Sequence, residues 1–404
     1  MHSQRIAIIG AGIGGLSAAL ALTRAGFSVA VFEQSKVLQE VGAGIQLSPN
    51  ATWILAEWGV LDQTKKAGFL PKAVKISHWR SGQPLGRFPL NHSDSFLNAP
   101  YIHIHRADIH QILHQAFRKA SGSEVHLGAR LEHIEYDADQ RVTRLHIDRD
   151  GDVSEEEFDY VIGADGIHSK VREYVEPASE ARFTGNVAWR GLVPVKDLSP
   201  SCRPDPCANL LMGPGAHVVY YYVRGGEAVN YVAVVETDQW QEESWTLKAD
   251  VEEMLEDFVG WNAQTRDILA ATNPDSCYRW ALYDREPFQT WLRDQCVLLG
   301  DAAHPMLPFL AQGAGMAIED AYALAACLEQ HPDDLLKGTE LYMVRRRDRT
   351  AKVQLQARRN MKLYHVRNPM VQFCRHQYLS FLGKSNPEHF NKSLAWLYEY
   401  RVKI

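Results

Sequence analysis

The sequence predicts an α/β protein. A Rossmann-type domain is assembled from discontinuous segments, a β-rich domain is inserted into it, and helices close the chain. Three observations carry this expectation. An apolar run, a glycine cluster and an Ala/Leu-rich stretch follow one another between Arg5 and Gly26. Strand–glycine–helix patterns return at 160–175 and 296–330. The stretch 181–290 between them reads mainly as strands. The expected division is 1–75, 101–178 and 279–345 for the Rossmann-type domain, 76–100 and 179–278 for the β-rich domain, and 346–404 for the C-terminal helical segment.

"RIAIIG" is a short, wholly apolar run, as a buried parallel strand requires. Gly10, Gly12 and Gly15 then fit G-x-G-x-x-G, "LSAALALTRAG" is a helix closed by Gly26, and "SVAVFE" is a second strand ending at Glu33. This is the βαβ context in which the motif binds a dinucleotide. The glycines let backbone N–H groups approach a pyrophosphate, and the helix N-terminus offers it partial positive charge. Glu33 stands 18 residues after Gly15, where a carboxylate accepts hydrogen bonds from both ribose hydroxyls. That suits an adenosine with a free 2′-hydroxyl, so NAD or FAD rather than NADP. A glycine-rich turn of another α/β fold is the competing reading.

Further along, Gly42 and Gly44 allow close backbone approach, and Pro49 opens an amphipathic helix. Residues 73–90 read as a hairpin around "SGQ". Residues 102–120 read as a strand running into a helix, with Arg106 at the junction and Asp108 as N-cap. "EVHLGARLEHIEYD" and "VTRLHIDRD" form a meander. One helix is expected near 249–271 within the β-rich stretch. The basic run "RRRDRTAKVQLQARR" has acidic neighbours and reads as a solvated helix face.

Composition bounds the rest. Of 404 residues, 46% are hydrophobic and 23% charged, ordinary for a soluble globular protein. A net charge of −6 gives no global attraction to nucleic acid or anionic membrane. No stretch suggests a signal peptide or membrane span. The six cysteines lack Cys-x-x-Cys or metal-like spacing, so reduced thiols in the cytoplasm and no metal site are expected.

Three blocks together, "GAGIGG…FE" at 10–33, "GADGIHSKVR" at 163–172 and "GDAAHPMLPFLAQGAGMAIED" at 300–320, resemble the single-component FAD-dependent aromatic hydroxylases, the p-hydroxybenzoate hydroxylase superfamily. "GAGIQLSPN", "HRADIH" and "WLYEY" resemble its salicylate hydroxylase and 6-hydroxynicotinate 3-monooxygenase branch. The resemblance spans nearly the whole chain. It implies non-covalent FAD, NADH or NADPH as reductant with a lean to NADH, molecular oxygen, and a small aromatic acid. It also implies a flavin C4a-hydroperoxide that transfers oxygen to the ring, with or without loss of an ipso carboxylate. A monomer or homodimer is expected.

By this resemblance Gly10, Gly12, Gly14, Gly15, Glu33, Gln34, Gln46, Arg106, Leu131 and Asp165 belong to the FAD site. So do Gly300, Asp301, Gly313, Ala314, Gly315 and Met316, with Asp301 on a ribityl hydroxyl. A helix starting near Gly313 points its positive end at the negative charge of reduced flavin. Arg172 pairs with Asp165 or a phosphate. His304 is structural.

On the substrate side, alternation along "AHVVYYYV" puts His217 and Tyr221 on one strand face, roughly 13 Å apart. The resemblance assigns these two positions to substrate binding and proton removal, which makes a phenolic ring electron-rich. Plain packing on a sheet face is the competing reading. Pro308 matches the family's active-site proline. Phe309 stands where relatives often carry histidine, which makes the pocket more apolar. Arg190 and Arg80 are candidate partners for a substrate carboxylate. The rival functions are a flavin-dependent epoxidase or other FAD oxidoreductase, and a flavin-binding regulatory protein without hydroxylase activity. The halogenase motif Trp-x-Trp-x-Ile-Pro is absent.

Overall fold

The computed structural model describes residues 4–38, 43–90, 99–121, 125–176, 180–238 and 249–402. Gly42 lies outside the described residues.

Arg5–Ile9 is the hub of a six-stranded sheet in the order Leu292–Arg293, Cys296–Leu298, Tyr160–Gly163, Arg5–Ile9, Ser28–Glu33, His126–Leu127. All neighbours run parallel except the first pair. Ile6 to Ile9 are buried, as a strand covered on both faces demands. The helices Ile13–Arg24 and Gly313–Gln330 pack on one another, and Arg106–Ser121 packs on the former. The sheet thus draws its strands from the three separated glycine-bearing segments.

A seven-stranded sheet runs Tyr278–Asp284, Arg182–Pro194, Ala228–Glu236, Ala216–Val223, Ala208–Gly213, Ala73–His78, Pro84–Pro89. It is antiparallel except where the hairpin strand Ala73–His78 joins Ala208–Gly213 in parallel. Tyr278–Asp284 pairs with Arg182–Pro194, so it belongs to this sheet although the sequence division began the last Rossmann segment at 279. An antiparallel meander of Arg130–Asp137, Val142–Arg149 and Asp152–Phe158 stands apart.

Three local expectations differ from the structure. The helix after Ile102–His105 begins at Arg106 itself, leaving Asp108 in its first turn rather than at the cap. The single helix expected near 249–271 is two, Val251–Asp257 and Ala263–Ala270. Gly260 turns between them with φ +80°, and Asn262 caps the second by accepting from the Thr265 N–H at 3.1 Å. Leu335–Tyr364 is one unbroken helix through the division placed at 345/346, because neither glycine nor proline interrupts 339–368. Pro369–Ser385 and His389–Tyr398 follow.

Candidate active site

A cavity of about 1250 Å³ lies between the C-terminal ends of the parallel strands and one face of the seven-stranded sheet. Ligands of open α/β sheets bind at such strand ends. The two walls differ in chemistry.

The parallel-sheet wall is built for an anionic, hydroxyl-rich ligand. Gly10 takes φ +96°, and a Cβ there would meet the Ala164 carbonyl at 2.6 Å. A Cβ on Gly12 would meet nothing within 4 Å, so that side of the turn is open to the cavity. Gly12 caps Ile13–Arg24 with no side-chain hydrogen bond, and no acidic residue sits in the first turn. The helix end therefore presents N–H groups without a side-chain cap to the cavity. Glu33 accepts from the Ala11 N–H at 2.8 Å and the Ser35 N–H at 2.9 Å. These bonds fix its carboxylate beside the glycine turn with lone pairs to spare. Gln34 and Leu131 continue this wall, as does Arg106.

A second helix end borders the same wall. Gly313–Gln330 starts without a side-chain cap or an acidic first turn, and Gly313 and Ala314 line the space. Asp301, after Gly300 (φ +62°), has its carboxylate 3.9 Å from where a Gly313 Cβ would stand. Asp301 is enclosed by protein yet exposed to the cavity. Burial raises its pKa, while His304, Arg106 and Arg172 oppose the rise. Asp165 also lines the space, but its carboxylate is held by the Ser169 hydroxyl at 2.5 Å and the Lys170 N–H at 2.7 Å. It caps a helix. Arg172 donates to the carbonyls of Ala302 and Ile167.

A buried polar network stands behind this wall. Asp320 accepts from the Gly300 N–H at 3.1 Å and from Arg346 Nε at 2.7 Å, and pairs with His304. Glu319 pairs with Arg346 and Arg349 and accepts from Asn50 at 2.6 Å. Asn50 also donates to Gln312, which precedes the second helix end. His304 is 1% exposed and committed to Asp320.

Three residues expected at the cofactor do not line the cavity: Gly15, Gly315 and Met316. A Gly15 Cβ would sit 1.9 Å from the Gly10 carbonyl, so this glycine serves close helix–strand packing. Gly315 lies against Gln312 and Asn50. Met316 is fully buried with Leu90, Tyr101, Val353, Leu397 and Tyr398.

The sheet wall carries the other predicted residues. Arg190, Val232, Val219, Leu210 and Ile76 are successive cross-strand neighbours, and all five line the cavity. His217 and Tyr221 flank Val219 on its own strand and line it too. The Arg190 guanidinium lies 4.1 Å over the Trp280 ring, and its buried Nε has no hydrogen-bond partner. Burial lowers its pKa to about 10, so it is cationic at neutral pH. Arg80 is exposed over Trp79 and outside the lining, which removes it as a candidate.

Tyr221 is 3% exposed, with its ring 4.4 Å from that of His103. Burial pushes its phenol pKa up, so it keeps its proton at neutral pH. That opposes the sequence-based expectation of a proton acceptor here and leaves a hydrogen-bond donor. His217 Nδ1 shares a hydrogen bond with His365 Nε2 at 2.8 Å. Its ring packs 5.1 Å from Phe309 and 5.2 Å from Tyr364. Burial and then His365 hold His217 well below the ordinary histidine range, so it is neutral and able to accept. Pro308 and Phe309 form a single helical turn above it, with the Phe309 carbonyl accepting from Asn360 at 3.1 Å. Gln46 also lines the space, held by the Tyr101 hydroxyl at 2.6 Å.

His365, Tyr364 and Trp280 were not singled out from the sequence. His365 is the C-cap of Leu335–Tyr364, a position that no local pattern in the sequence marks as facing the cavity.

The family model described as "FAD binding domain" matches residues 3–352. The chain is 38% identical over 395 residues to 3-amino-4-hydroxybenzoate 2-monooxygenase of Streptomyces cremeus, covering 98% of this chain and 94% of that protein. It is 36% identical over 368 residues to 6-hydroxynicotinate 3-monooxygenase of Bordetella bronchiseptica, covering 90% and 93%. Klebsiella pneumoniae HpxO, solved with FAD and uric acid, superposes with a TM-score of 0.84 at 27% identity, covering 97% of this chain and 95% of that one. Open glycine turn, Glu33, Asp301 and two uncapped helix ends suit FAD, with NAD(P)H as its reductant, and no helix of the described residues is long and apolar enough to cross a membrane. The chain belongs to the single-component FAD-dependent aromatic hydroxylases, the p-hydroxybenzoate hydroxylase superfamily.

Proposed function

We propose that the protein hydroxylates a small aromatic acid carrying a ring hydroxyl, of the aminohydroxybenzoate, salicylate or hydroxynicotinate kind. The observation that carries this reading is Arg190. It is a cation with an unpartnered buried Nε, on the same sheet face as His217 and Tyr221. Arg190 and Val219 are two strands apart, about 10 Å. That span lets a single ring reach with a carboxylate to Arg190 and with a hydroxyl toward His217 or Tyr221.

FAD, once reduced by NADH or NADPH, supplies the oxygen-transfer chemistry. The Gly12–Gly14 turn would hold its pyrophosphate, Glu33 its ribose and Asp301 its ribityl chain, with Gly10, Gln34, Gln46, Arg106, Leu131 and Asp165 around them. The helix end at Gly313 and Ala314 would favour negative charge on the ring bound there. Oxygen transfer to an aromatic ring is faster when the ring is electron-rich. Neutral His217 accepts the hydroxyl proton, and Tyr221 donates a hydrogen bond to the oxygen left behind. Pro308 and Phe309 wall the ring and exclude water. The apolar Phe309 distinguishes this pocket from histidine-bearing relatives. We place the enzyme in the cytoplasm, where NAD(P)H is supplied, as a monomer or homodimer.

A panel of aromatic acids scored for NADH and NADPH oxidation, hydroxylated product and released peroxide tests the reading. Arg190→Gln removes a charge-assisted contact of about 1.5–3 kcal/mol, so KM for the carboxylate should rise roughly ten- to 150-fold. KM for the matching carboxamide should barely move. Failure of every hydroxylated acid to stimulate NAD(P)H oxidation would overturn the proposal.

A further inference from the structure

The cavity continues past the pocket at Arg190 into a lobe between the seven-stranded sheet and the helix Pro369–Ser385. Ile76, Leu210 and Met212 form its sheet side, Leu379 and Leu382 its helix side. Both leucines are only half-buried, because they border the space. The helix rests directly on the edge strand, where a Cβ on Gly383 would meet the Gly86 Cα at 2.9 Å. The lobe reaches solvent beside Leu363 and Tyr378, which are 51% and 56% exposed and also line the cavity.

Arg375 stands one turn before Leu379 on the same helix face and lines the cavity too. It is only 9% exposed. Its Nη1 donates to the carbonyls of Leu363 and Tyr364, the last residues of the 30-residue helix. Its Nε and Nη2 are buried and meet no acceptor among the described residues. These two N–H groups make up the side-on edge of the guanidinium, which matches a carboxylate with two parallel hydrogen bonds. Burial lowers the Arg375 pKa with no acidic group offsetting it, yet an arginine keeps its charge. A buried cation with an unpaired edge is destabilising until an anion meets it.

The lobe is separate from the pocket at Arg190. Arg190 and Ile76 are four strands apart across the sheet, roughly 19 Å. Tyr364 stands between the two parts, with its ring 5.2 Å from that of His217 and its other contacts in the lobe's apolar cluster. A single-ring acid held at Arg190 does not span that distance.

We propose that Arg375 and this lobe form a second binding subsite, which takes a carboxylic acid with an apolar body while the pocket at Arg190 is also filled. The carboxylate meets the Nε–Nη2 edge, and the body lies along Met212, Ile76 and Leu379. A second aromatic acid and an aliphatic acid share this chemistry. The subsite goes beyond the function proposed above and does not depend on the acid at Arg190 being hydroxylated.

Equilibrium dialysis of the oxidised holoenzyme against radiolabelled benzoate, which has no ring hydroxyl, counts the sites. The wild-type protein should take up two benzoates per FAD. Arg375→Gln should weaken one of them about tenfold or more and leave the other unchanged. Leu379→Trp should do the same by filling the lobe with the guanidinium still in place, so it reads the subsite even if the lost contact to Leu363 unfolds Arg375→Gln. In both variants benzoate should still perturb the flavin spectrum from the pocket at Arg190. Arg190→Gln should keep the equivalent at Arg375. Competition with unlabelled octanoate distinguishes the sources: tighter octanoate makes the occupant aliphatic, and tighter benzoate makes it a second aromatic acid. One benzoate per FAD in the wild-type protein, or two in both Arg375→Gln and Leu379→Trp, overturns the subsite and leaves the proposed function standing. If Arg190→Gln binds two benzoates with wild-type affinity and only Arg375→Gln loses one, the carboxylate role of Arg190 falls and the subsite stands.

Discussion

Tyr221 and His217 face the same cavity from the same strand, yet burial acts on them in opposite senses. It favours the neutral form of each, so the phenol holds its proton and the imidazole stays unprotonated. A donor and an acceptor result. Tyr221→Phe then removes one hydrogen bond, worth about 0.5–1.5 kcal/mol. The substrate KM should rise roughly two- to tenfold, peroxide leakage should increase and FAD content should stay constant. Steady-state kinetics with peroxide detection check this. A loss of about a hundredfold or more in the hydroxylation step would instead return Tyr221 to the role of base. The shared strand face was legible from alternation alone. The protonation states were not, because they depend on the depth of burial and on His365, 148 residues away in sequence.

At the scale of elements, the first glycine turn separates two jobs that the motif spells identically. Gly12 borders open space and takes φ −69° as helix cap, a value any residue can adopt. Gly15 sits under the Gly10 carbonyl with no room for a methyl group. Gly12→Ala should fold with wild-type thermal stability and lose FAD. Gly15→Ala should lose thermal stability in the apoprotein as well, by the 1–3 kcal/mol typical of overpacking or more. Apoprotein melting and FAD titration of both variants distinguish the roles. Equal melting temperatures would refute the assignment of Gly15 to packing. The strand, turn and helix were readable because their partners lie within about thirty residues. The Met316 side chain turns away from the cavity, and motif position alone does not say which way a side chain turns. It enters the cluster with Leu397 and Tyr398 from the far end of the chain.

At the scale of the whole molecule, the buried network behind the cavity ties distant segments together. Arg349 joins Glu319 to the Trp396 and Leu397 carbonyls of the last helix, and Arg346 joins Glu319 and Asp320. Burial alone would raise the Asp320 pKa, but His304 and Arg346 more than offset it and hold it at about 2. A carboxylate depressed on folding contributes stability that is present above its unfolded value near 4. The contribution is lost as pH falls through the folded value near 2. The amount is roughly 2 kcal/mol. Urea denaturation from pH 6 to pH 2 should show a loss below about pH 4 that is smaller in Asp320→Asn, whatever that variant's stability at pH 6. An unchanged acid slope in Asp320→Asn would remove Asp320 from the linkage.

The sequence by itself determined what is short in range. The period-2 runs, the glycine turn, the Ala/Leu helix and Glu33 at a strand end each follow from steric and hydrogen-bonding rules that act over one or two turns of chain. Three such patterns in order implied one nucleotide site, and alternation set His217 and Tyr221 on a common face. Tertiary structure alone decided what faces what. It left Arg190 in the cavity with an unpartnered Nε, sent Arg80 to the surface, and ran the helix Leu335–Tyr364 so that His365 meets His217. These contacts close loops of about a hundred residues or more, and closing such a loop costs little more than closing a short one. Local pattern therefore carries almost no information about them. Sheet register and core packing select them instead.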